Sequence, residues 1–347
     1  MSAEALKTVR ASIEKKFGKG SVFTLSDKPD SMNITAIPSG SLTLDKALGV
    51  WGWPEGRIIE LYGTESSGKT TILLCSIAEA QKMGKLCAFV DVEHSLDPEW
   101  AKLHGVDLDK LLVSQPDTAE QALDIVEALI RSEEVGLIGI DSVAALLPEA
   151  EAEEDHHHNT VGLQARLMSQ AMRKLKGIAA KTKTTLIFIN QVREKVGSYG
   201  NPITTPGGHA LKFYASVRVE VRKADVHKDG KRVIGHRIKC KVVKNKVAAP
   251  YKEAEFDLYY DSGIDTAEEI ARLAIVAGLI IQKGAWYKCN INGKEETWQG
   301  LKGVKDAILE NPELKQTLIE ALKQVFPVMQ DFNQDNSTTE DDDIEGE

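Results

Sequence analysis

The chain has 347 residues, of which 42% are hydrophobic and 27% charged, with a net charge of −9 at pH 7. Those are ordinary values for a soluble globular chain with one large core and room for smaller appendages. No run approaches the ~18–20 apolar residues that a membrane helix needs, which excludes an integral membrane protein of that kind and predicts no membrane partner.

Taken in chain order, residues 3–17 place Leu6, Val9, Ile13 and Phe17 at helical spacing, and Gly18-Lys19-Gly20 ends that helix. The segment has no apolar signal core, so the protein is expected to stay in the cytoplasm. From residue 57 onward, short apolar, β-branched runs alternate with helix-period stretches. The strands are predicted at 57–62, 86–92, 111–114, 137–141 and 185–190, and the helices at 69–83, 118–132 and 163–181. Strands buried on both faces and separated by helices imply right-handed crossovers and a mainly parallel sheet. Three more strands, at 216–222, 236–244 and 253–259, follow without long helices and predict an antiparallel end to the sheet. Residues 266–326 read as mostly helical, with Gly284-Ala285-Trp286 in a turn or short hairpin. The expected division is an N-terminal helix segment (1–33), an α/β core (34–265), a small α+β C-terminal domain (266–330) and an acidic tail (331–347). The four cysteines, Cys75, Cys87, Cys240 and Cys289, show no metal or redox spacing and read as buried thiols.

Charge is segregated along the chain. The last 17 residues hold eight acids and no base, which leaves the rest of the chain close to neutral. Residues 222–246 hold ten Lys or Arg against only Asp225 and Asp229, and residues 166–183 hold six bases and no acid. Such segregation leaves room for a polyanionic partner despite the acidic total.

The sharpest motif is Gly-Thr-Glu-Ser-Ser-Gly-Lys-Thr at 63–70, between a strand and a helix, the pattern of a phosphate-binding loop. Gly63 and Gly68 let the backbone curl so that the amides of Glu65, Ser66, Ser67, Thr70 and Thr71 can face phosphate oxygens. The N-terminus of the next helix adds its partial positive charge. Lys69 is expected at the β- and γ-phosphates and the Thr70 hydroxyl on Mg²⁺, which makes ATP and Mg²⁺ the expected ligands. Neighbouring strand ends should complete the site. Asp141 fits the second acidic position that holds the metal. Glu93 fits a carboxylate that activates water, although acids also end strands for no chemical reason. Gln191 could bond the γ-phosphate and move the loop after it, or could simply end its strand.

Eight runs go further than a generic ATPase: GRIIELYGTESSGKTT, EHSLDP, SQPDTAEQAL, IDSVAAL, MSQAMRKL, FINQVR, GGHALKFYASVR and KVVKNKVAAP. In order and spacing they resemble the bacterial RecA recombinase family over about residues 5–310. The resemblance implies a RecA-type P-loop ATPase core that polymerises on single-stranded DNA as a helical filament. It also implies strand exchange with homologous duplex DNA, and repressor self-cleavage in an SOS response. Single-strand-binding and loading proteins are implied partners. It makes Glu93 the water-activating carboxylate and Gln191 the γ-phosphate sensor. Asp97 and Trp100 would flank the adenine, Trp100 standing for the family's Tyr, and Tyr260 would touch the base from the adjacent protomer. Lys244 and Lys246 would reach the neighbour's triphosphate.

Two loops would carry DNA. The first, about 148–162, continues into Arg166, Ser169 and Arg173. The second, about 192–209, presents Arg193, Val196, Tyr199, Thr205, Gly207, Gly208 and His209. Here Tyr199 stands near the family's Phe, Pro206 stands for Thr and His209 for Asn, and the second loop is one residue shorter. The first loop departs most, with five acids followed by His156, His157 and His158, imidazoles that titrate near neutrality. A ring-forming RecA-fold motor such as a replicative helicase would share the nucleotide site, but the axis-loop motifs favour a filament. A filament-forming DNA-binding protein with weak turnover is the third reading.

Overall fold

The computed structural model describes residues 3–24, 34–153, 162–194, 203–204, 206–291 and 293–327. His156, His157, His158, Val196, Tyr199 and Thr205 lie outside these residues, as does the side chain of Arg193. The chain divides into two compact units, residues 1–35 and 36–347. The first carries helix α1 (Ala3–Phe17), with Arg10 paired to Glu14 one turn on. Leu6, Val9 and Phe17 leave its apolar stripe exposed.

The second unit opens with β1 (Ala36–Ile37), α2 (Leu42–Leu48) and β2 (Trp53–Pro54). There follow β3 (Ile58–Gly63), α3 (Lys69–Lys82), β4 (Leu86–Asp91), α4 (Pro98–Leu103) and β5 (Leu111–Ser114). The chain continues through α5 (Ala119–Arg131), β6 (Val135–Asp141), α6 (Glu149–Glu153), α7 (Leu163–Thr182) and β7 (Thr185–Gln191). The short pair β8 (Arg193–Glu194) and β9 (Ile203–Thr204) precedes α8 (Ala210–Tyr214). Next come β10 (Val217–Asp229), β11 (Arg232–Asn245), β12 (Glu253–Tyr259) and β13 (Gly263–Ile264). The last elements are α9 (Thr266–Val276), β14 (Ile280–Lys283), β15 (Trp286–Ile291), β16 (Lys294–Gln299), α10 (Gly300–Glu310) and α11 (Pro312–Val325).

Nine strands form one sheet in the order β13-β12-β11-β10-β3-β7-β6-β4-β5. The run from β10 to β5 is parallel, and β11, β12 and β13 add antiparallel strands, as the absence of crossover helices requires. Helices cover both faces, so two cores form. One packs α2, α3 and α4 against the sheet, and the other packs α5, α7 and α8. The helices bury the stripes that their spacing predicts. In α5, Ala119, Ala122, Leu123, Val126 and Ile130 are buried, and the Thr118 hydroxyl accepts from the Gln121 amide to start the helix. In α7 the buried stripe is Met168, Met172, Leu175 and Ala179. Gly139 in β6 lets α3 lie close, because a Cβ there would come within 2.6 Å of Leu73.

Two sequence expectations need correction. The strands expected at 216–222 and 236–244 are one long hairpin, whose polar outer half runs out to Asp229 and Arg232 and hid its strand character. The turn or short hairpin expected at Gly284-Ala285-Trp286 is the β14-β15 hairpin, but a third strand, β16, joins it in an antiparallel sheet where mostly helix was expected. Its side chains feed a separate core with α9, α10 and α11, built on Ile270, Tyr287, Val304, Ile308 and Leu318. All four cysteines are free and buried, as their scattered spacing predicts.

Candidate nucleotide site and the loop beside it

Strand β3 ends on Gly63 at the C-terminal edge of the sheet, and α3 begins at Lys69. Between them the backbone takes positive φ at Ser66 (56°) and Gly68 (94°). A Cβ on Gly63 would meet the Val221 carbonyl oxygen at 2.0 Å, and one on Gly68 would meet Ile238 Cδ1 at 2.6 Å. Both positions therefore demand glycine. Lys69 is buried, and its Nζ donates to the Thr64 and Gly63 carbonyls at 2.6 and 3.2 Å. Burial pulls its ammonium below the ordinary lysine value, while Asp141, Glu93 and Glu65 push the other way. A buried cation held by two carbonyls and, at 3.5 Å, the Ser67 hydroxyl, with no carboxylate bonded to it among the described residues, is poised for an anion at the loop.

Asp141 ends β6, and its Oδ2 accepts from the Thr70 hydroxyl at 2.7 Å. Burial pushes its carboxyl up to about 6, the Thr70 bond opposes this, and Glu93 adds to it. Glu93 follows β4, and its Oε1 accepts from the Ser142 hydroxyl and from Gln191 Nε2, the latter at 3.0 Å. Gln191, the last residue of β7, thus bridges the carboxylate and the chain that follows. What aims Glu93 is a residue that sequence reasoning passed over. Asp91 is fully buried, and its carboxylate accepts from the amides of Ser95 and Leu96, each at 3.1 Å, and from Gln115 Nε2 at 3.0 Å. Those bonds fold the 92–97 turn. The only signal was an acid ending an otherwise apolar strand.

The cavity above the loop has a volume of about 390 Å³ and is lined by Ser66 to Thr71, Trp100, Lys223, His236, Leu258 and Tyr260. Asp97 caps α4, accepting from the amides of Glu99 and Trp100 at 2.9 and 3.4 Å, and so orients the helix turn that bears Trp100. Tyr260, expected to reach a neighbour's nucleotide, lines the cavity of its own chain. Lys244 and Lys246 lie away from that cavity at the end of β11. Lys244 Nζ donates to the Lys212 and Phe213 carbonyls at 2.8 and 3.0 Å, and burial with the nearby Lys246 and Arg218 pushes it down to about 8. Lys246 is exposed.

The end of the second loop is pinned to the sheet. Asn190 Nδ2 donates to buried Glu60 at 3.0 Å and to the Pro206 carbonyl at 3.2 Å, and Glu60 also accepts from Arg218. Gly207 and Gly208 both have positive φ (80° and 71°), and the Gly207 amide donates to Gln164 at 3.2 Å. Added Cβ atoms there would crowd Val143 and Ala165, so the glycines allow the loop to close on the start of α7. Arg166, Ser169 and Arg173 share one stripe of α7 opposite its buried face, with both arginines exposed. His209 is exposed beside Phe213, the ring centroids 6.0 Å apart.

The basic run at 222–246 is less free than its sequence implies. Arg237 pairs with Asp257, Lys239 with Glu253 and Glu255, Lys241 with Glu253, and Arg222 with Glu220. The neighbouring strand supplies acids from outside the counted window. In α7, Lys174 pairs with Glu127, but no pair is formed by Arg166 or Arg173 among the described residues.

The family model for the RecA N-terminal domain matches residues 4–265. Protein RecA of Heliobacterium modesticaldum is 54% identical over 90% of this chain and 89% of its own. Protein RecA of Acholeplasma laidlawii is 53% identical over 93% and 97% of the two chains, and that of Staphylococcus epidermidis 50% over 98% and 96%. Identity of that extent, together with a family-model match over most of the chain, means that the chain belongs to the RecA family.

Proposed function

We propose that the cavity binds ATP with Mg²⁺, and that DNA seated against the loop after β7 controls its hydrolysis through Gln191. As a member of its family the chain is a DNA-dependent ATPase of homologous recombination and DNA repair. It binds single-stranded DNA and assembles with copies of itself. The residue roles that follow are inferences from the geometry. Lys69 binds the β- and γ-phosphates, exchanging two carbonyls for anionic oxygens. Trp100 and Tyr260 hold the base, and Asp97 acts by orienting Trp100. Thr70 and Asp141 suit Mg²⁺, because a hydroxyl and a carboxylate already in contact are hard oxygen donors. No cluster of three metal-binding side chains exists among the described residues, so phosphates and water would complete the coordination. When bound, the ion neutralises charge on the transferred phosphate.

Glu93 accepts a proton from the attacking water, and Ser142 and Gln191 hold its Oε1 in place. The contact between Gln191 and Glu93 carries the reading, because it joins the hydrolytic carboxylate directly to the residue from which the second loop departs. Arg166, Ser169 and Arg173 contact phosphates. Gly207 and Gly208 let the backbone approach a strand, and Arg193, Val196, Tyr199, Thr205 and His209 are the further DNA contacts proposed. Lys244 and Lys246 reach the neighbouring subunit's triphosphate. Homologous duplex DNA, single-strand-binding proteins and loading proteins are the further partners proposed.

The test is ATP turnover with and without single-stranded DNA. Glu93→Gln should keep ATP binding and lose ~10²–10⁴-fold in hydrolysis, the scale of a positioned general base. Gln191→Ala should keep ATP binding and, whatever its basal rate, lose the fold-stimulation of hydrolysis by DNA. Normal DNA stimulation in Gln191→Ala would refute the coupling.

A further inference from the structure

His236 is only 3% exposed, and neither ring nitrogen has a hydrogen-bond partner among the described residues. The residue is nevertheless one of those that line the nucleotide cavity. Unpaired buried polar atoms are rare and costly, so a ring kept in this state at a cavity wall points to a ligand group.

Its place on β11 says which part of the ligand. Ile238 packs directly beneath the phosphate loop, where a Gly68 Cβ would lie within 2.6 Å of it. Alternate residues of a strand share a face, so His236 is the next side chain outward from Ile238 on that face. Leu258 stands opposite His236 on β12, and the Tyr260 ring lies 5.8 Å further out. The wall therefore runs from phosphate loop to imidazole to aromatic ring. In a nucleotide the sugar lies between phosphates and base, which brings the sugar to the level of His236.

The ring's chemistry agrees. Burial, reinforced by Lys223 and His227, holds His236 below the ordinary histidine value. A neutral imidazole has one N–H donor and one bare acceptor nitrogen. A hydroxyl both donates and accepts, whereas a phosphate oxygen only accepts and would favour a cation. We propose that His236 is a specificity residue of the nucleotide cavity that hydrogen-bonds a ribose hydroxyl and so favours ribonucleotides over their deoxy counterparts. The assignment rests on the reading of this cavity as the nucleotide site.

Calorimetric titration of the full-length chain without DNA tests it, using ADP, 2′-deoxy-ADP and 3′-deoxy-ADP. For the wild type, at least one deoxy nucleotide should bind about three- to tenfold more weakly than ADP, the net worth of one hydrogen bond. That penalty should vanish in His236→Ala and persist in His236→Asn, which keeps a donor and an acceptor. Which analogue pays it identifies the hydroxyl. If both deoxy nucleotides bind the wild type as tightly as ADP, the proposal is overturned without recourse to any variant. An equal penalty in a folded His236→Ala would overturn it as well. Failure of ADP itself to bind the wild type would instead refute the nucleotide reading.

Discussion

Replacing Glu269 by glutamine should convert a pH-dependent stability into a flatter one. Glu269 lies on α9, is 3% exposed, and reaches back to the start of α2. Its Oε1 accepts from the Ser41 and Thr43 hydroxyls at 2.6 and 2.5 Å and from the Thr43 amide at 3.1 Å, and its Oε2 from the Leu42 amide at 3.3 Å. Leu42 and Thr43 open α2, so their amides have no partner inside the helix. Ser41 caps only the Leu44 amide, and Glu269 takes the other two. Burial pushes its carboxyl from 4.5 up to about 7, against the lowering effect of those hydrogen bonds.

Between those two values the folded chain holds a proton that the unfolded chain releases. The stabilisation is complete below pH 4.5 and is lost as pH rises to 7, by at most about 3 kcal/mol at 1.36 per pKa unit. Glutamine keeps the three bonds at Oε1 and loses only the long one at Oε2, a cost of about 1 kcal/mol. It should therefore be the less stable protein at pH 5 and the more stable at pH 8. Asp45, also pushed up to about 7, chiefly by burial, is common to both proteins and cancels in the comparison except for the smaller part that Glu269 itself adds. Thermal midpoints of the two chains measured from pH 5 to 8 decide the matter. A difference that stays constant across that range, or grows in favour of glutamate as pH rises, would show that Glu269 is ionised throughout and that the buried proton does not exist.

Two further changes probe the nucleotide site and assembly. Lys69→Ala should abolish ATP hydrolysis, since it removes the one cation buried in the phosphate loop; turnover at the wild-type rate would refute its role. Lys244→Ala with Lys246→Ala should lower hydrolysis only in assembled protein. In mixed assemblies, Lys69→Ala subunits that retain both lysines should partly rescue the double variant, and co-assembly without rescue would count against action across the interface.

How far the molecule could be read in advance depended on whether the determining contacts are local. The phosphate loop was legible because its constraints sit within eight residues, and the helices of the larger unit because a 3.6-residue stripe is a local pattern. The long β10-β11 hairpin was not, because its outer half is exposed on both faces and loses the apolar alternation that marks a strand. Of the three-stranded sheet at 280–299 only the turn or short hairpin at 284–286 was legible; Lys283, Lys288, Glu295 and Glu296 dilute the pattern, and only pairing in three dimensions reveals the full sheet. His236, Asp91 and Glu269 escaped notice because each is defined by what it faces across the fold. The basic run at 222–246 misled in the same way, since Glu253, Glu255 and Asp257 answer it from the adjoining strand. Tyr260 was picked out as a base contact, but only the register of β12 beside β11 brings it to the cavity of its own chain.

The burial of all four cysteines has a practical side. Thiol reagents attack the thiolate, and burial pushes Cys75 and Cys87 up to about 12 and Cys289 up to about 11, with Cys240 raised further still. Towards a maleimide the native chain is close to blank. A single cysteine introduced at Gln170, exposed on the same helix as Arg166 and Arg173, would take a fluorophore selectively without any native thiol being removed. The dye would then report on that helix face in an otherwise unaltered protein, with no cysteine-free background to build.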